Sequence, residues 1–224
     1  MTDEHPTHHD ISVETATRAD MAAVYDEIAD RFSATRRYVW PEVDEFCTSH
    51  TGDIALDIGC GNGRHTALLV EQSQTALGVD LSLELLSIAV SRVPGATFCT
   101  GDALNLPVRS NIVDLGLYVA TIHHLPSRAE RIASLNELNR VLSNTGIALI
   151  STWSTAHDRF EEPSDGTGFA AIIDWTYPEG GSVPRYYYIY HPDEFVADIE
   201  ASALSIESHN VSSGNCYITV RKGT

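Results

Sequence analysis

The stretch Leu56-Asp57-Ile58-Gly59-Cys60-Gly61-Asn62-Gly63 decides the fold of this chain. It continues a short apolar run that begins at Ile54, as expected for a buried strand that ends in a glycine-rich loop. Glycines at this point let the backbone approach a ligand closely and begin a helix whose N–H groups face that ligand. The carboxylate of Asp57 repels a pyrophosphate, so it favours a ligand that carries a positive charge.

Strand-like and helix-like segments alternate on the C-terminal side of this loop. Five apolar runs have the length of buried strands, at residues 54–58, 76–80, 96–100, 113–119 and 147–153. Helical patterns separate several of them, most clearly at residues 83–92 and 127–142. Residues 204–211 and 216–221 predict a terminal hairpin. This order predicts an α/β fold with a doubly wound, mostly parallel sheet and helices on both faces.

Three segments do not follow this alternation. Apolar residues at helical spacing predict a helix over residues 18–33, and Pro41 suits the first turn of a second helix over residues 41–49. Residues 154–183 are polar and glycine-rich, followed by a short strand at residues 186–190. We predict the following organisation: a mobile acidic tail at 1–17 and one domain at 18–224, with N-terminal helices at 18–50 and a substrate-side insertion at 154–190.

The chain is strongly acidic and almost free of lysine. Its 224 residues include 31 Asp and Glu against 14 Lys and Arg, a formal charge of −17, and Lys222 is the only lysine. This composition is typical of proteins from a salt-saturated cytoplasm. At molar salt the Debye length is about 3 Å, so the net charge does not exclude a nucleic-acid substrate.

The remaining composition indicates a folded protein of a reducing compartment. No apolar run approaches the ~18 residues that a membrane span needs, and the acidic N-terminus does not fit a signal peptide. The cysteines are scattered, without a C-x-x-C pair: Cys47, Cys60, Cys99 and Cys216. We therefore expect a cytoplasmic protein without disulfides or a metal site.

Carboxylates recur where the predicted strands end. Asp80 ends the second strand, where it can accept hydrogen bonds from both hydroxyls of a ribose, and Asp102 ends the third, where it can accept one from an adenine amine. With the D-x-G-x-G-x-G loop and Val113-Asp114-Leu115, these motifs over residues 53–153 resemble the Rossmann-like S-adenosylmethionine-dependent methyltransferases. That resemblance implies a seven-stranded sheet of order 3-2-1-4-5-7-6 with strand 7 antiparallel.

The same resemblance implies the residues that bind S-adenosylmethionine. The acid and the glycine loop lie at the methionine part, Asp80 at the ribose, and the residues after the third and fourth strands at the adenine and the sulfonium. The implied set is Asp57, Gly59, Cys60, Gly61, Asn62, Gly63, Asp80, Leu81, Ser82, Asp102, Ala103, Val119 and Ala120.

Two segments outside the cofactor motifs indicate the substrate. Tyr25 to Pro41 carries the pattern Y-x-x-I-A-x-x-F-S-x-T-R-x-x-x-W-P, and Ile122-His123-His124 follows the fourth strand. With Arg185-Tyr186-Tyr187, they resemble the eukaryotic tRNA wobble-uridine methyltransferases that esterify 5-carboxymethyluridine. Gly214-Asn215-Cys216 departs from that family, which has a tryptophan at the last position.

The chemistry of such a reaction selects the candidate catalytic residues. The acceptor carboxylate, with a pKa near ~4, is already ionised at neutral pH, so the site needs an anion holder and not a strong base. Arg36 and Arg185 suit that task because a guanidinium offers two parallel donors. We expect His123 or His124 to hydrogen-bond the substrate, and Tyr186, with Tyr187 and Trp153, to stack on a base. Tyr25 and Trp40 are expected to pack in the core.

A partner protein is predicted at one edge of the sheet. Ala96-Thr97-Phe98-Cys99-Thr100 forms the edge strand and contains no charge, so a strand added by another protein would protect it. The resemblance implies a heterodimer with a small zinc-binding methyltransferase activator, and the tRNA anticodon loop as substrate. Two alternatives stay open: a methyltransferase for a quinone or lipid precursor, and a non-catalytic cofactor-binding subunit.

Overall fold

The computed structural model describes residues 11–160, 166–177 and 179–223. Its α-helices are α1 (Arg18–Thr35), α2 (Pro41–Ser49), α3 (Thr66–Gln72), α4 (Leu83–Arg92), α5 (Arg128–Val141) and α6 (Pro192–Glu200). Its strands are β1 (Gly52–Ile58), β2 (Ser73–Asp80), β3 (Thr97–Thr100), β4 (Val113–Val119), β5 (Leu142–Trp153), β6 (Phe169–Thr176), β7 (Ser182–Ile189), β8 (Leu204–Ser212) and β9 (Asn215–Lys222). Among the described residues, no helix is long and apolar enough to cross a membrane.

Seven strands form one twisted sheet in the order β3-β2-β1-β4-β5-β9-β8. The first five pair in parallel, whereas β9 runs antiparallel to both β5 and β8. This confirms the predicted sheet order, with β8 and β9 as the sixth and seventh strands. Apolar side chains are buried on both faces of the sheet, with Leu135 of α5 and Phe195 of α6 on one side and Val43 of α2 and Leu69 of α3 on the other.

Helix α1 is fastened over the carboxyl ends of the strands. Thr17 caps its first turn in a reciprocal capping box with Asp20. Asp26 then joins it to α4, because its Oδ1 accepts hydrogen bonds from the Ser82 hydroxyl at 2.6 Å and the Glu84 N–H at 3.0 Å. Of the predicted tail, residues 1–10 lie outside the described part of the chain, while Ala16 is buried in a cluster with α1 and β7.

The insertion contains a second, two-stranded sheet that the sequence analysis did not predict. β6 and β7 pair antiparallel, from Phe169 opposite Ile189 to Thr176 opposite Ser182. The strand expected at residues 186–190 coincides with the second half of β7, whereas β6 was not predicted. The hairpin packs against α1, so it adds a wall beside the carboxyl ends of the main sheet.

Candidate active site

A cavity lies at the carboxyl ends of β1, β2 and β4, where ligands bind in doubly wound folds. One face of α1 covers it. All residues implied as cofactor-binding line this cavity except Gly63 and Ser82. Of the candidate catalytic residues, Arg36 and His124 line it, whereas His123, Arg185 and Tyr186 do not.

The three glycines of the loop have different tasks. Gly59 adopts a φ of 68°, and a Cβ there would overlap the side chain of Thr121. Gly61 opens towards the cavity, and its N–H donates to Asp80 Oδ2 at 2.7 Å. A Cβ on Gly63 would lie 3.2 Å from atoms of Ala89 in α4, so this glycine lets the loop pack against the helix. Gly63 does not line the cavity.

Two buried carboxylates lie beside the loop. Asp57 is 2% exposed and accepts a hydrogen bond from Thr66 Oγ1 at 2.6 Å. Burial raises the pKa of Asp57 to about 7, although the Thr66 hydroxyl opposes this shift. Asp80 accepts N–H groups from Gly61 and Ser82 on separate oxygens, so lone pairs on both oxygens remain for a ligand.

Ser82 stabilises helices instead of lining the cavity. Its hydroxyl accepts from the Leu85 N–H as the N-cap of α4 and donates to Asp26 of α1. The side chain is 1% exposed. The sequence implied a cofactor contact here, and the structure shows a link between two helices.

Arg18 closes the end of the cavity near the third strand. Its guanidinium pairs with Asp102 and, at 3.1 Å, with Glu130 of α5. The other oxygen of Asp102 accepts the Leu104 N–H at 2.9 Å. Sequence analysis missed Arg18, because the partners lie 84 and 112 residues further along the chain and no local pattern links them.

The two adjacent histidines have different environments. His124 lines the cavity; its Nδ1–H donates to the Tyr186 carbonyl at 2.8 Å and its Nε2 accepts the Tyr25 hydroxyl at 2.9 Å. Burial lowers the pKa of His124 to about 3, so the ring is neutral at physiological pH. His123 is 1% exposed and accepts the Trp153 N–H at Nδ1, which places it in the core beneath the site.

Arg185 is a buried cation next to the cavity. It is 5% exposed, and its Cζ lies 5.1 Å from the ring centre of Tyr187 and 5.4 Å from that of Trp175. One Nη donates to the Tyr25 hydroxyl at 3.4 Å, while the Nε has no hydrogen-bond partner. No carboxylate among the described residues lies within ion-pair distance of it. Arg36 lies over the same Trp175 ring at 5.8 Å.

The aromatic residues are arranged differently from the sequence-based expectation. Tyr186 is 1% exposed, donates to the Pro126 carbonyl and packs on α1, so it is not free to stack on a substrate base. Tyr187 and Trp153 stack on each other with ring centres 5.0 Å apart. Tyr25, expected in the core, lines the cavity, whereas Trp40 packs against the core as expected.

Ala120 shows backbone strain at the end of β4. It adopts a φ of 53°, which an alanine rarely does, and its N–H donates to the Ser151 carbonyl at 3.0 Å. The residue lines the cavity. Such strain persists where the surrounding structure fixes a site, as it does here at the cavity wall.

Comparison with known proteins agrees with this geometry. A methyltransferase domain family matches residues 56–150. A putative methyltransferase of Encephalitozoon cuniculi is 30% identical over 203 residues, which cover 88% of this chain and 93% of that one. The tRNA (carboxymethyluridine(34)-5-O)-methyltransferase of Schizosaccharomyces pombe is 29% identical over 225 residues, covering 89% and 94%. The alkbh8 protein of Xenopus tropicalis, with the same activity in its name, is 38% identical over 150 residues, or 66% of this chain.

Solved structures show the same fold. An S-adenosylmethionine-dependent methyltransferase from Clostridium acetobutylicum has a TM-score of 0.67 at 15% identity, covering 92% of this chain and 99% of that one. The complex between the Haloferax volcanii Trm112 methyltransferase activator and a putative methyltransferase has a TM-score of 0.69 at 14% identity, covering 91% of this chain and 98% of that one.

A Rossmann-like sheet with an acid and a glycine loop at its switch point defines the class of S-adenosylmethionine-dependent methyltransferases, and the chain belongs to this family. Its cofactor is S-adenosylmethionine. Within the family, the Xenopus tropicalis and Schizosaccharomyces pombe relatives are named tRNA (carboxymethyluridine(34)-5-O)-methyltransferases. The chain spans 23% of the length of the Xenopus relative, which is therefore a much longer protein.

Proposed function

We propose that this protein transfers a methyl group to the carboxylate of 5-carboxymethyluridine at the wobble position of tRNA. The observation that carries the proposal is Arg185, a buried guanidinium beside the cofactor cavity without a carboxylate partner among the described residues. A buried charge of this kind is costly unless an anion neutralises it, and the substrate carboxylate is such an anion. The substrate named for the relatives supports the same assignment.

The lining of the cavity fits S-adenosylmethionine. When bound, the cofactor supplies an electrophilic methyl group on a positively charged sulfur. Asp57 offers a carboxylate to the ammonium group, and Asp80 offers free lone pairs to the ribose hydroxyls. Asp102 and Ala103 lie where the adenine is expected, although one oxygen of Asp102 is already paired with Arg18. Val119 and Ala120 form the wall assigned to the sulfonium.

The remaining residues of the site orient the substrate carboxylate. Tyr25 donates its proton to His124 Nε2 and accepts from Arg185, so the neutral histidine fixes the direction of the guanidinium. His124 uses both ring nitrogens in this relay and is not a general base. Arg36 and Arg185 both lie against the Trp175 ring, with Cζ atoms 5.8 Å and 5.4 Å from its centre, and we assign the substrate carboxylate to these two guanidiniums. Orientation of this kind supplies roughly 7–11 kcal/mol of a reaction barrier.

A protein partner is proposed at β3. Thr97, Cys99 and Thr100 are exposed, and the strand carries no charge. Leu83 and Val90, two turns apart on α4, are 61% and 56% exposed. An added strand with an apolar contact to α4 would cover both features. The partner implied by resemblance is a small zinc-binding activator, and the Haloferax volcanii neighbour was solved with an activator. The four free cysteines favour a reducing cytoplasm.

The test is nucleoside mass spectrometry of tRNA from cells that lack the gene. We expect the methyl ester of 5-carboxymethyluridine to disappear and the free acid to accumulate. Re-expression of the wild-type gene restores the ester, which excludes a secondary effect. An unchanged tRNA profile overturns the proposal and favours a small-molecule acceptor such as a quinone or lipid precursor. If a variant that cannot bind the cofactor also restores the methyl ester, the result favours a non-catalytic subunit.

A further inference from the structure

Four arginines converge at the turn between α1 and α2 and form what we call the arginine patch: Arg36, Arg37, Arg64 and Arg92. None of them has a carboxylate within ion-pair distance in the described part of the chain. This is unusual in a protein whose acidic residues outnumber its basic residues by 31 to 14. Six other arginines of the chain do have such partners.

Backbone carbonyls hold the patch together without neutralising it. Arg92 donates to the carbonyls of Arg36 at 3.2 Å and Arg37 at 2.8 Å, and Arg64 donates to that of Tyr38 at 3.3 Å. Burial and the neighbouring charge of Arg36 lower the pKa of Arg64 to about 10. The guanidiniums therefore repel one another and keep donors free for an anion.

Two further features point to a nucleic acid. Tyr38 lies within the patch and is 85% exposed, although large aromatic rings are normally covered. Arg36 and Arg64 also line the cofactor cavity, so the patch continues directly from the site of methyl transfer. Guanidinium forks match phosphate oxygens, and an exposed ring offers a stacking face to an unpaired base.

We propose that Arg37 and Arg92 of the arginine patch bind backbone phosphates of the RNA next to the modified nucleotide, with Tyr38 stacked on a neighbouring base, while Arg36 contacts the reacting carboxylate. The inference rests on the proposed function for the identity of the RNA. It differs from that function in assigning Arg37, Tyr38 and Arg92 to the nucleotides outside the reacting base.

The test compares tRNA binding by Arg37→Glu and Arg109→Glu across a salt series. Both arginines are exposed, and neither has an ion-pair partner among the described residues, so the two variants change the net charge equally. Arg109 lies before the amino end of β4, away from the cavity. We expect Arg37→Glu to raise the Kd for tRNA about tenfold at low salt and to reduce the slope of log K against log salt by about 1. For Arg109→Glu we expect a Kd for tRNA within about twofold of the wild-type value.

The affinity for S-adenosylmethionine, measured on the same variants, shows whether the fold is intact. If the two variants change the Kd for tRNA equally, or not at all, the inference is overturned. The proposed function still stands in that case if the wild type transfers a methyl group to tRNA. Selective loss of binding in Arg37→Glu supports the patch, even if the wild type forms no methyl ester and the proposed function fails. Tyr38→Ala is expected to weaken the binding of single-stranded RNA about fivefold or more without changing the salt slope.

Discussion

Arg185 combines two properties that oppose each other in a single residue. Its burial costs free energy for a charged group; the facing rings of Trp175 and Tyr187 offset part of that cost, but no carboxylate among the described residues does so. A protein keeps such an arrangement when a ligand supplies the missing charge. Stability and function at this position are therefore expected to change in opposite directions.

Replacement of Arg185 by methionine tests this opposition. Because methionine fills a similar volume without a charge, the free energy of unfolding should rise by about 1–3 kcal/mol. Methyl transfer to tRNA should fall by about 100-fold or more, as removal of one partner of a buried charge pair costs about 2–5 kcal/mol. Chemical denaturation and a methylation assay measure the two effects, and Arg185→Lys controls for charge alone. A destabilised methionine variant would show that the guanidinium is structural.

We expect Asp57 to make cofactor binding depend on pH. Its folded-state pKa is raised to about 7 mainly by burial, above the value of about 3.9 in an unfolded chain. The folded protein therefore binds the proton more tightly, and stability without ligand falls as pH rises from about 4 to about 7. The ionised form attracts the ammonium group, so the affinity for S-adenosylmethionine should rise over the same range. Calorimetry across pH measures this rise; Asp57→Asn should remove most of it, and an identical profile in that variant would contradict the assignment.

Residues of the site were predictable where a strand end determines their position. Asp57, Asp80 and the glycine loop follow apolar runs, so their place at the cavity follows from the alternation of elements. Arg18 and Trp175 reach the site from α1 and from the inserted hairpin, and no local pattern reports such distant packing. For these residues only the three-dimensional structure supplies the information.

At the scale of elements, the face of β7 that is turned towards the cavity determines which tyrosine lies on the substrate side. Neighbouring residues of a strand point to opposite faces, so Arg185 and Tyr187 share one face and Tyr186 takes the other. The sequence Arg-Tyr-Tyr does not determine which face is which, since both faces of this hairpin are lined by apolar side chains. β6 was missed because its partner is β7, outside the main sheet, and its flanks resemble a loop.

Helix α1, which covers the cavity, is attached to α4 through Asp26, and this attachment can be tested by substitution. Asp26→Ala removes the hydrogen bonds from the Ser82 hydroxyl and the Glu84 N–H, so the free energy of unfolding should fall by about 1–2 kcal/mol. The Kd for S-adenosylmethionine should rise as α1 loosens. Asp30→Ala makes the same change at an exposed position of the same helix and should leave both values close to wild type. Thermal unfolding and cofactor titration measure both effects. If Asp26→Ala and Asp30→Ala change them equally, Asp26 does not hold α1 over the cavity.

At the scale of the whole molecule, the two edges of the main sheet differ. β8, at one edge, carries Glu207 and His209 among its exposed residues, and such side chains discourage strand addition. β3, at the other edge, is four residues long and uncharged, and the helix that packs beside it, α4, exposes Leu83 and Val90. We propose that this uncharged edge is where another protein binds.

This asymmetry predicts the edge at which the proposed activator binds. Cys99→Lys adds a charge to the exposed face of β3, and we expect it to abolish co-purification with the partner at the salt concentration of the cell. Ser208→Lys adds the same charge to β8 and should leave the complex intact. Since Cys99 lies outside the residues that line the cofactor cavity, cofactor binding by Cys99→Lys should match the wild type. Loss of the complex in the β8 variant, with Cys99→Lys unaffected, would place the partner at the opposite edge.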